Sequence, residues 1–105
     1  MRYEVVLAPR AVKGFRRLPA RIRSRVRDAL ERHLRHEPKQ VSRSRIKRLR
    51  GLSRPQYRLR VDDIRIFYDV TKTTVEVLAI IRKAEAKAWL ERQGAPEESG
   101  GTGQG

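Results

Sequence analysis

Residues 57–68 decide the fold, and they read Tyr57-Arg58-Leu59-Arg60-Val61-Asp62-Asp63-Ile64-Arg65-Ile66-Phe67-Tyr68. On both sides of the two aspartates, apolar side chains alternate with other residues at the period of a β-strand. Asp62-Asp63 suits a tight turn between antiparallel strands. The stretch predicts a hairpin of strands 56–61 and 64–70. Arg58 and Arg60 share one face of the first strand, and Arg65 can point to the same side from the second.

The flanking segments complete a small α+β domain. Residues 2–7 predict a strand, residues 10–18 and 19–36 predict two helices joined at Leu18-Pro19, and residues 74–81 predict a strongly apolar strand. Residues 83–92 predict a last helix. The expected order is β-α-α-β-β-β-α: a small, mostly antiparallel four-stranded sheet, an αα-hairpin on one face and a short C-terminal helix.

Two segments are predicted to lack regular structure. Residues 39–54 contain seven cations and no acidic residue, and they predict a basic loop around Ile46 and Leu49. Residues 93–105 are rich in Gly, Ser, Pro and Glu, a composition typical of disorder. We therefore expect one domain over residues 1–92 and a disordered tail over residues 93–105.

The charge of the chain points to a polyanionic partner. Lys and Arg number 26 against 12 Asp and Glu, a net charge of +14, and 20 of the cations are arginines. Arginine binds phosphate through a planar fork of donors, so nucleic acid is the favoured partner. The alternative is an arginine-rich host composition. A membrane surface fits less well, because the cations are spread along the chain and lie partly on strands.

Several classes of function are disfavoured by what the sequence lacks. It has no cysteine, and His33 and His36 cannot form a zinc site by themselves. We expect no cofactor and no metal. The sequence has neither an apolar run of about 20 residues nor a signal-peptide pattern, so a cytoplasmic protein is expected.

A phosphate-binding surface is predicted where the cations of the strands converge. Arg82 and Lys83 end the strand that follows the hairpin, and they could join Arg58, Arg60 and Arg65. Five cations would then lie on one face of the sheet. The alternative is a solvated strand face, but such faces normally carry charges of both signs.

Three segments resemble toxins of the RelE/ParE superfamily. The hairpin of residues 57–68 is similar to the paired strands of that family. The first strand followed by Ala11-x-Lys13 and Phe15-x-x-Leu18-Pro19 resembles its start, and Lys47-Arg48-Leu49-Arg50-Gly51-Leu52 resembles its Lys-x-Leu-x-Gly segment. The resemblance covers residues 1–92.

The resemblance implies a toxin of a type II toxin–antitoxin module that acts as a ribosome-dependent mRNA endonuclease. In that reaction the ribose 2′-OH attacks the adjacent phosphate, and cations stabilise the phosphorane. The implied partners are a cognate antitoxin, the ribosome and mRNA. The residues that take catalytic roles by position are Arg58, Arg60, Arg65 and Lys83, and those that take substrate-binding roles are Arg82, Trp89, Lys47, Arg48 and Arg50.

Two departures from the family pattern keep other functions open. Many active members have lysine on the first strand of the hairpin, where this chain has arginine, a poor proton acceptor. Lys83 and Glu85 are the candidate general bases. Many members have Tyr where Trp89 stands, and Trp89 could either stack on a base or pack in the core. The alternatives are a ParE-like DNA gyrase inhibitor without nuclease activity and a catalytically weak RNA-binding relative.

Overall fold

A computed structural model describes residues 2–97. The helices are α1 (Pro9–Arg17), α2 (Ala20–Ala29), which continues as a π-helical turn over Leu30–Leu34, and α3 (Lys83–Gln93). The strands are β1 (Glu4–Leu7), β2 (Ile46–Arg48), β3 (Leu52–Arg54), β4 (Tyr57–Val61), β5 (Ile64–Val70), β6 (Thr74–Arg82) and β7 (Ala95–Pro96).

The main sheet has five strands in the order β1-β6-β5-β4-β2. Only β1 and β6 run parallel, and the other neighbours are antiparallel. The predicted α+β class and mostly antiparallel sheet are confirmed. The prediction of four strands was wrong in number, because β2 adds a fifth strand and β3 pairs with β7 in a separate two-stranded sheet.

The central hairpin forms at the predicted place. Val61 pairs with Ile64, so Asp62 and Asp63 make a two-residue connection. Asp62 has φ of 52°, a left-handed conformation that Asp tolerates better than most residues. This connection sets the register that places Arg60 directly opposite Arg65.

The αα-hairpin covers one face of the sheet and forms the main core. Val26, Leu34, Leu59, Ile66 and Tyr68 are fully buried there. Helix α1 approaches β6 so closely that a Cβ on Gly14 would lie 2.2 Å from the carbonyl oxygen of Ile80. Glycine is therefore required at this contact, although it lowers the intrinsic helix propensity of α1.

Helix α3 covers part of the opposite face. Trp89 is only 8% exposed, and its ring stacks on Phe67 with 5.1 Å between the centroids. Ala79 completes this second, smaller cluster. Since α3 occupies this part of the face, the cations of β4 and β5 lie on what remains of it.

Two segments have more structure than the sequence predicted. The stretch 39–54, predicted as a loop, contains β2 and β3, because Ile46 is buried and pairs with Leu59. The prediction of disorder does not hold for residues 93–96, because Gln93 ends α3 and Ala95–Pro96 pairs with β3. The rest of that prediction, residues 98–105, lies outside the described residues. Across residues 2–97, no helix has the length and apolar character needed to span a membrane.

Candidate nucleic-acid interface

Four cations lie together on the same face of the sheet as α3, on the part that α3 does not cover. Arg58 and Arg60 alternate with the buried Leu59 on β4, so both point away from the main core. Arg65 lies directly across from Arg60, and Lys47 lies directly across from Arg58 on β2. Directly paired residues of antiparallel strands project on the same side. We call Lys47, Arg58, Arg60 and Arg65 the basic sheet face.

Arg65 is the most firmly held of the four. Its side chain is 8% exposed, and one terminal nitrogen, Nη1, donates to the carbonyl oxygens of Asp62 at 2.9 Å and Ile64 at 3.2 Å. These contacts fix its guanidinium at the β4–β5 turn, while its Nε and Nη2 groups make no hydrogen bond within residues 2–97. Arg65 thus supplies a positive charge at a set position.

Arg58 carries a polar atom that the fold does not satisfy. Its Nε is buried and has no hydrogen-bond partner within residues 2–97. Partial burial lowers the pKa of Arg58, and the neighbouring charges of Arg65 and Arg60 lower it further. A buried N–H without an acceptor is costly, and an anion placed here would both accept from Nε and relieve the repulsion.

No carboxylate of residues 2–97 forms an ion pair with the basic sheet face. Six ion pairs form within the part of the chain that the structure describes: Arg25–Asp62, Arg32–Asp28, Arg35–Glu31, Arg54–Asp69, Arg54–Glu76 and Arg82–Asp63. None of them includes Lys47, Arg58, Arg60 or Arg65. The face is therefore available to an external anion.

Arg82 does not join this face, contrary to the expectation from the sequence. Arg82 lies opposite Ile64, whose side chain belongs to the main core, and its guanidinium is 3.7 Å from the Asp63 carboxylate. Lys83 begins α3, and its backbone N–H donates to the Asp63 carbonyl oxygen at 2.8 Å, so it lies at the β4–β5 turn, and its place among the cations of the face stays a prediction. Glu85 lines a small cavity with Arg17 and Arg82 between α1 and α3. The face thus gathers three of the five predicted cations, together with Lys47.

The remaining predicted substrate-binding residues take different positions. Arg48 lies opposite Tyr57, on the side of the sheet that the αα-hairpin covers. Its guanidinium donates to the Gln56 carbonyl oxygen at 2.8 Å. Arg50 is exposed just before the turn at Gly51. Trp89 is in the core, where Phe67 covers one face of its ring. Its packing role is visible, whereas a role in stacking on a base stays a prediction.

The sequence analysis did not foresee a second group of cations beside the basic sheet face. A cleft of about 260 Å³ opens between α2 with its π-helical turn and the ends of β2 and β4. We call it the basic cleft. It is lined by Arg25, Asp28, Ala29, Arg32, His33, Arg45, Arg60, Val61 and Asp62. These residues come from three separate segments, so no local pattern could have indicated that they meet.

Metal binding finds no support in the described part of the chain. Residues 2–97 hold no group of three His, Asp or Glu side chains arranged to bind a metal ion. The chemistry of both basic sites is that of guanidinium groups, which bind phosphate through charge-assisted hydrogen bonds.

Comparison with known families identifies the chain. Residues 5–87 match the family model described as the ParE toxin of the type II toxin–antitoxin system parDE. The chain belongs to the ParE toxin family. The membership in the RelE/ParE superfamily that the sequence motifs indicated is therefore confirmed. A comparison with curated protein sequences finds no match.

Several solved structures of RelE proteins are similar to this ParE-family toxin. The RelBE2 toxin–antitoxin complex of Mycobacterium tuberculosis is 27% identical with a TM-score of 0.66, over 80% of this chain and 94% of that one. The RelE–RelB complex of Pyrococcus horikoshii is 27% identical with a TM-score of 0.60, over 79% and 97%. A mutant of Escherichia coli RelE in the free state is 18% identical with a TM-score of 0.54, over 89% and 99%. The last of these supports the fold alone.

Proposed function

We propose that this toxin cleaves mRNA on the ribosome and thereby inhibits translation in the cytoplasm. The observation that carries the proposal is the basic sheet face, where three guanidinium groups and an ammonium group have no carboxylate partner within residues 2–97. The unsatisfied Arg58 Nε adds a donor that a phosphoryl oxygen could accept from. Such a surface suits a ribose–phosphate link.

The reaction proposed here is an internal transesterification. The 2′-oxygen forms a bond to the adjacent phosphorus, and the bond from phosphorus to the 5′-oxygen of the next nucleotide breaks. The products are a 2′,3′-cyclic phosphate and a free 5′-hydroxyl. Arg58, Arg60 and Arg65 would stabilise the charge that builds up on the phosphoryl oxygens.

The proton steps need a base for the 2′-OH and an acid for the leaving oxygen. Of the two candidates, Glu85 lines the small cavity with Arg17 and Arg82, between α1 and α3. Lys83 is exposed, and its backbone N–H contacts Asp63 in the β4–β5 turn, the same turn whose Asp62 carbonyl oxygen accepts from Arg65. We therefore favour Lys83 in the proton-transfer role.

A cognate antitoxin is the proposed protein partner. Two of the similar solved structures are toxin–antitoxin complexes of proteins 27% identical to this chain. An acidic antitoxin segment laid over the basic sheet face would occupy the same guanidinium groups that RNA would use. Charge complementarity of this kind is a direct route to inhibition.

A cell-free translation reaction with a defined mRNA tests the proposal, with cleavage mapped by primer extension. Wild-type toxin should cut the translated mRNA. Arg60→Gln, at an exposed position, should lower the cleavage rate about 10²-fold, the loss typical of removing one charge-stabilising donor. Lys72→Gln removes one charge from the β5–β6 turn and should leave the rate unchanged. Intact mRNA with wild-type toxin would contradict the proposal.

A second candidate function is inhibition of DNA gyrase without nuclease activity. The observation that favours it is that the matching family model describes ParE toxins. A supercoiling assay with purified gyrase separates the candidates, because only a gyrase inhibitor should block supercoiling. A protein that binds RNA but neither cuts mRNA nor blocks gyrase would be the catalytically weak relative.

A further inference from the structure

The basic cleft lies next to the basic sheet face and shares Arg60 with it. Arg60 pairs with Arg65 across the hairpin and also lines the cleft. Its backbone N–H donates to the carbonyl oxygen of Arg45 at 2.8 Å, which ties the segment before β2 to the end of β4. A strand of nucleic acid leaving the basic sheet face at Arg60 would therefore meet the cleft next.

The positive charges of the cleft are only partly compensated by carboxylates. Four arginines and two aspartates line it, which gives a net charge of +2 when His33 is neutral. Asp62 is paired with Arg25, and Asp28 lies 3.6 Å from Arg32. Arg45 and Arg60 have no carboxylate partner in the described part of the chain. Arg45, whose charge also acts on His33, is the cation that an external phosphate would engage.

His33 adds a neutral hydrogen-bonding group to the same cleft. Partial burial lowers its pKa, the charges of Arg45 and Arg32 lower it further, and Asp28 opposes them. Arg25, Arg60 and Asp62 are the other charged groups that line the cleft. A neutral imidazole can donate one N–H to a phosphate oxygen.

We propose that the basic cleft binds a second backbone phosphate of the single RNA strand held on the basic sheet face. The proposal rests on the proposed RNA-directed function and extends it by naming where the strand runs. An RNA strand is favoured over a protein segment because the lining is mostly charged, with Ala29 and Val61 its only apolar residues. Protein-binding grooves are instead largely apolar at their centres.

Binding of two single-stranded RNAs of different length tests the proposal. The probes are a trinucleotide and an octanucleotide with 2′-O-methyl groups, which prevent cleavage, and affinity is measured at several chloride concentrations. Arg45→Gln should weaken octanucleotide binding about tenfold, the loss expected for one charge-assisted hydrogen bond. The salt slope of octanucleotide binding should fall by about 0.7. Trinucleotide binding should not change.

The matched control is Lys72→Gln, which removes one positive charge at the opposite end of the β5–β6 hairpin from the cleft. It should leave both affinities unaltered. If Arg45→Gln and Lys72→Gln weaken the octanucleotide equally, the effect is one of net charge and the cleft site is refuted. The same holds if Arg45→Gln weakens both probes equally, or weakens only antitoxin binding.

One further variant distinguishes failure of the cleft from failure of the proposed function. Arg58 lies on the basic sheet face, so Arg58→Gln should weaken trinucleotide binding. If it does so while Arg45→Gln leaves the octanucleotide unaffected, the cleft proposal alone is wrong. If wild-type toxin binds neither probe, RNA binding by the sheet face is wrong as well.

Discussion

At the scale of single residues, the basic sheet face is distinguished by charges and hydrogen-bond donors that have no partner within residues 2–97. Arg65 is held by two backbone carbonyl groups, and Arg58 keeps a buried Nε without an acceptor in the described part of the chain. Such an arrangement costs stability, because like charges repel and a donor goes unsatisfied. Costs of this kind concentrate at functional sites, where a ligand removes them. The interpretation of Arg58 as a phosphate contact follows from this balance.

Tyr68 shows the opposite case, a buried polar group that is fully satisfied. Its hydroxyl donates to the carbonyl oxygen of Pro38 at 2.6 Å, and burial strongly raises its pKa. Tyr68→Phe would leave that buried carbonyl without its donor. We expect the free energy of unfolding in urea to fall by about 1–3 kcal/mol.

Tyr57→Phe is the control for Tyr68→Phe. The Tyr57 ring stacks on that of Tyr68 with 5.5 Å between the centroids, but its hydroxyl makes no hydrogen bond within residues 2–97. The stability of Tyr57→Phe should stay within about 0.5 kcal/mol of the wild type. If both variants lost the same free energy of unfolding, the hydrogen bond from Tyr68 to Pro38 would contribute nothing specific to stability.

At the scale of elements, the packing of α1 on β6 depends on Gly14. A glycine-to-alanine change inside a helix normally stabilises it by about 1 kcal/mol. At Gly14 the new Cβ would lie 2.2 Å from a backbone oxygen, which cannot move aside without shifting β6. We expect Gly14→Ala to lower the free energy of unfolding by about 1–3 kcal/mol, measured by urea denaturation.

Ser24→Ala provides the comparison on the neighbouring helix. Ser24 is exposed in the middle of α2, so alanine there should stabilise the protein by a few tenths of a kcal/mol. Opposite signs for Gly14→Ala and Ser24→Ala would establish that close contact outweighs helix propensity at residue 14. Stabilisation by both substitutions would contradict the close approach of α1 to β6.

At the scale of the whole molecule, the net charge of +14 opposes the compact state. The Debye length falls to about 10 Å at 0.1 M salt, so added salt screens this repulsion. We expect the urea midpoint to rise as sodium chloride increases from about 20 to 300 mM. A midpoint that stays constant or falls would mean that the ion pairs of the folded state outweigh the repulsion.

Sulfate separates screening from anion binding in the same experiment. At equal ionic strength, sulfate should raise the midpoint more than chloride, because it can bind the uncompensated cations of the folded protein. Arg60→Gln should reduce the difference between the urea midpoints measured in sulfate and in chloride. The difference should persist unchanged in Lys72→Gln, because Lys72 lies far along the hairpin from the basic sheet face.

Much of the fold could be predicted because its patterns are local. The alternation on either side of Asp62-Asp63 predicted the hairpin, and the register confirms that Arg60 faces Arg65. The three-residue strand β2 was missed, because Ile46 is its only buried residue and cations surround it in the sequence. Its extended conformation depends on pairing with β4, which a local pattern does not reveal.

Sequence alone determined the α+β class and the side of β4 on which its arginines lie, since two-residue and 3.6-residue periodicities are properties of neighbouring residues. It also indicated the family, through motifs that resemble those of RelE/ParE toxins. The tertiary structure decided that Lys47 joins Arg58, that Arg82 turns to Asp63 and that Arg45 meets Arg60 beside His33. Those contacts join residues distant in sequence. Strand pairing and helix packing, rather than any local preference, bring their charges within reach of one another.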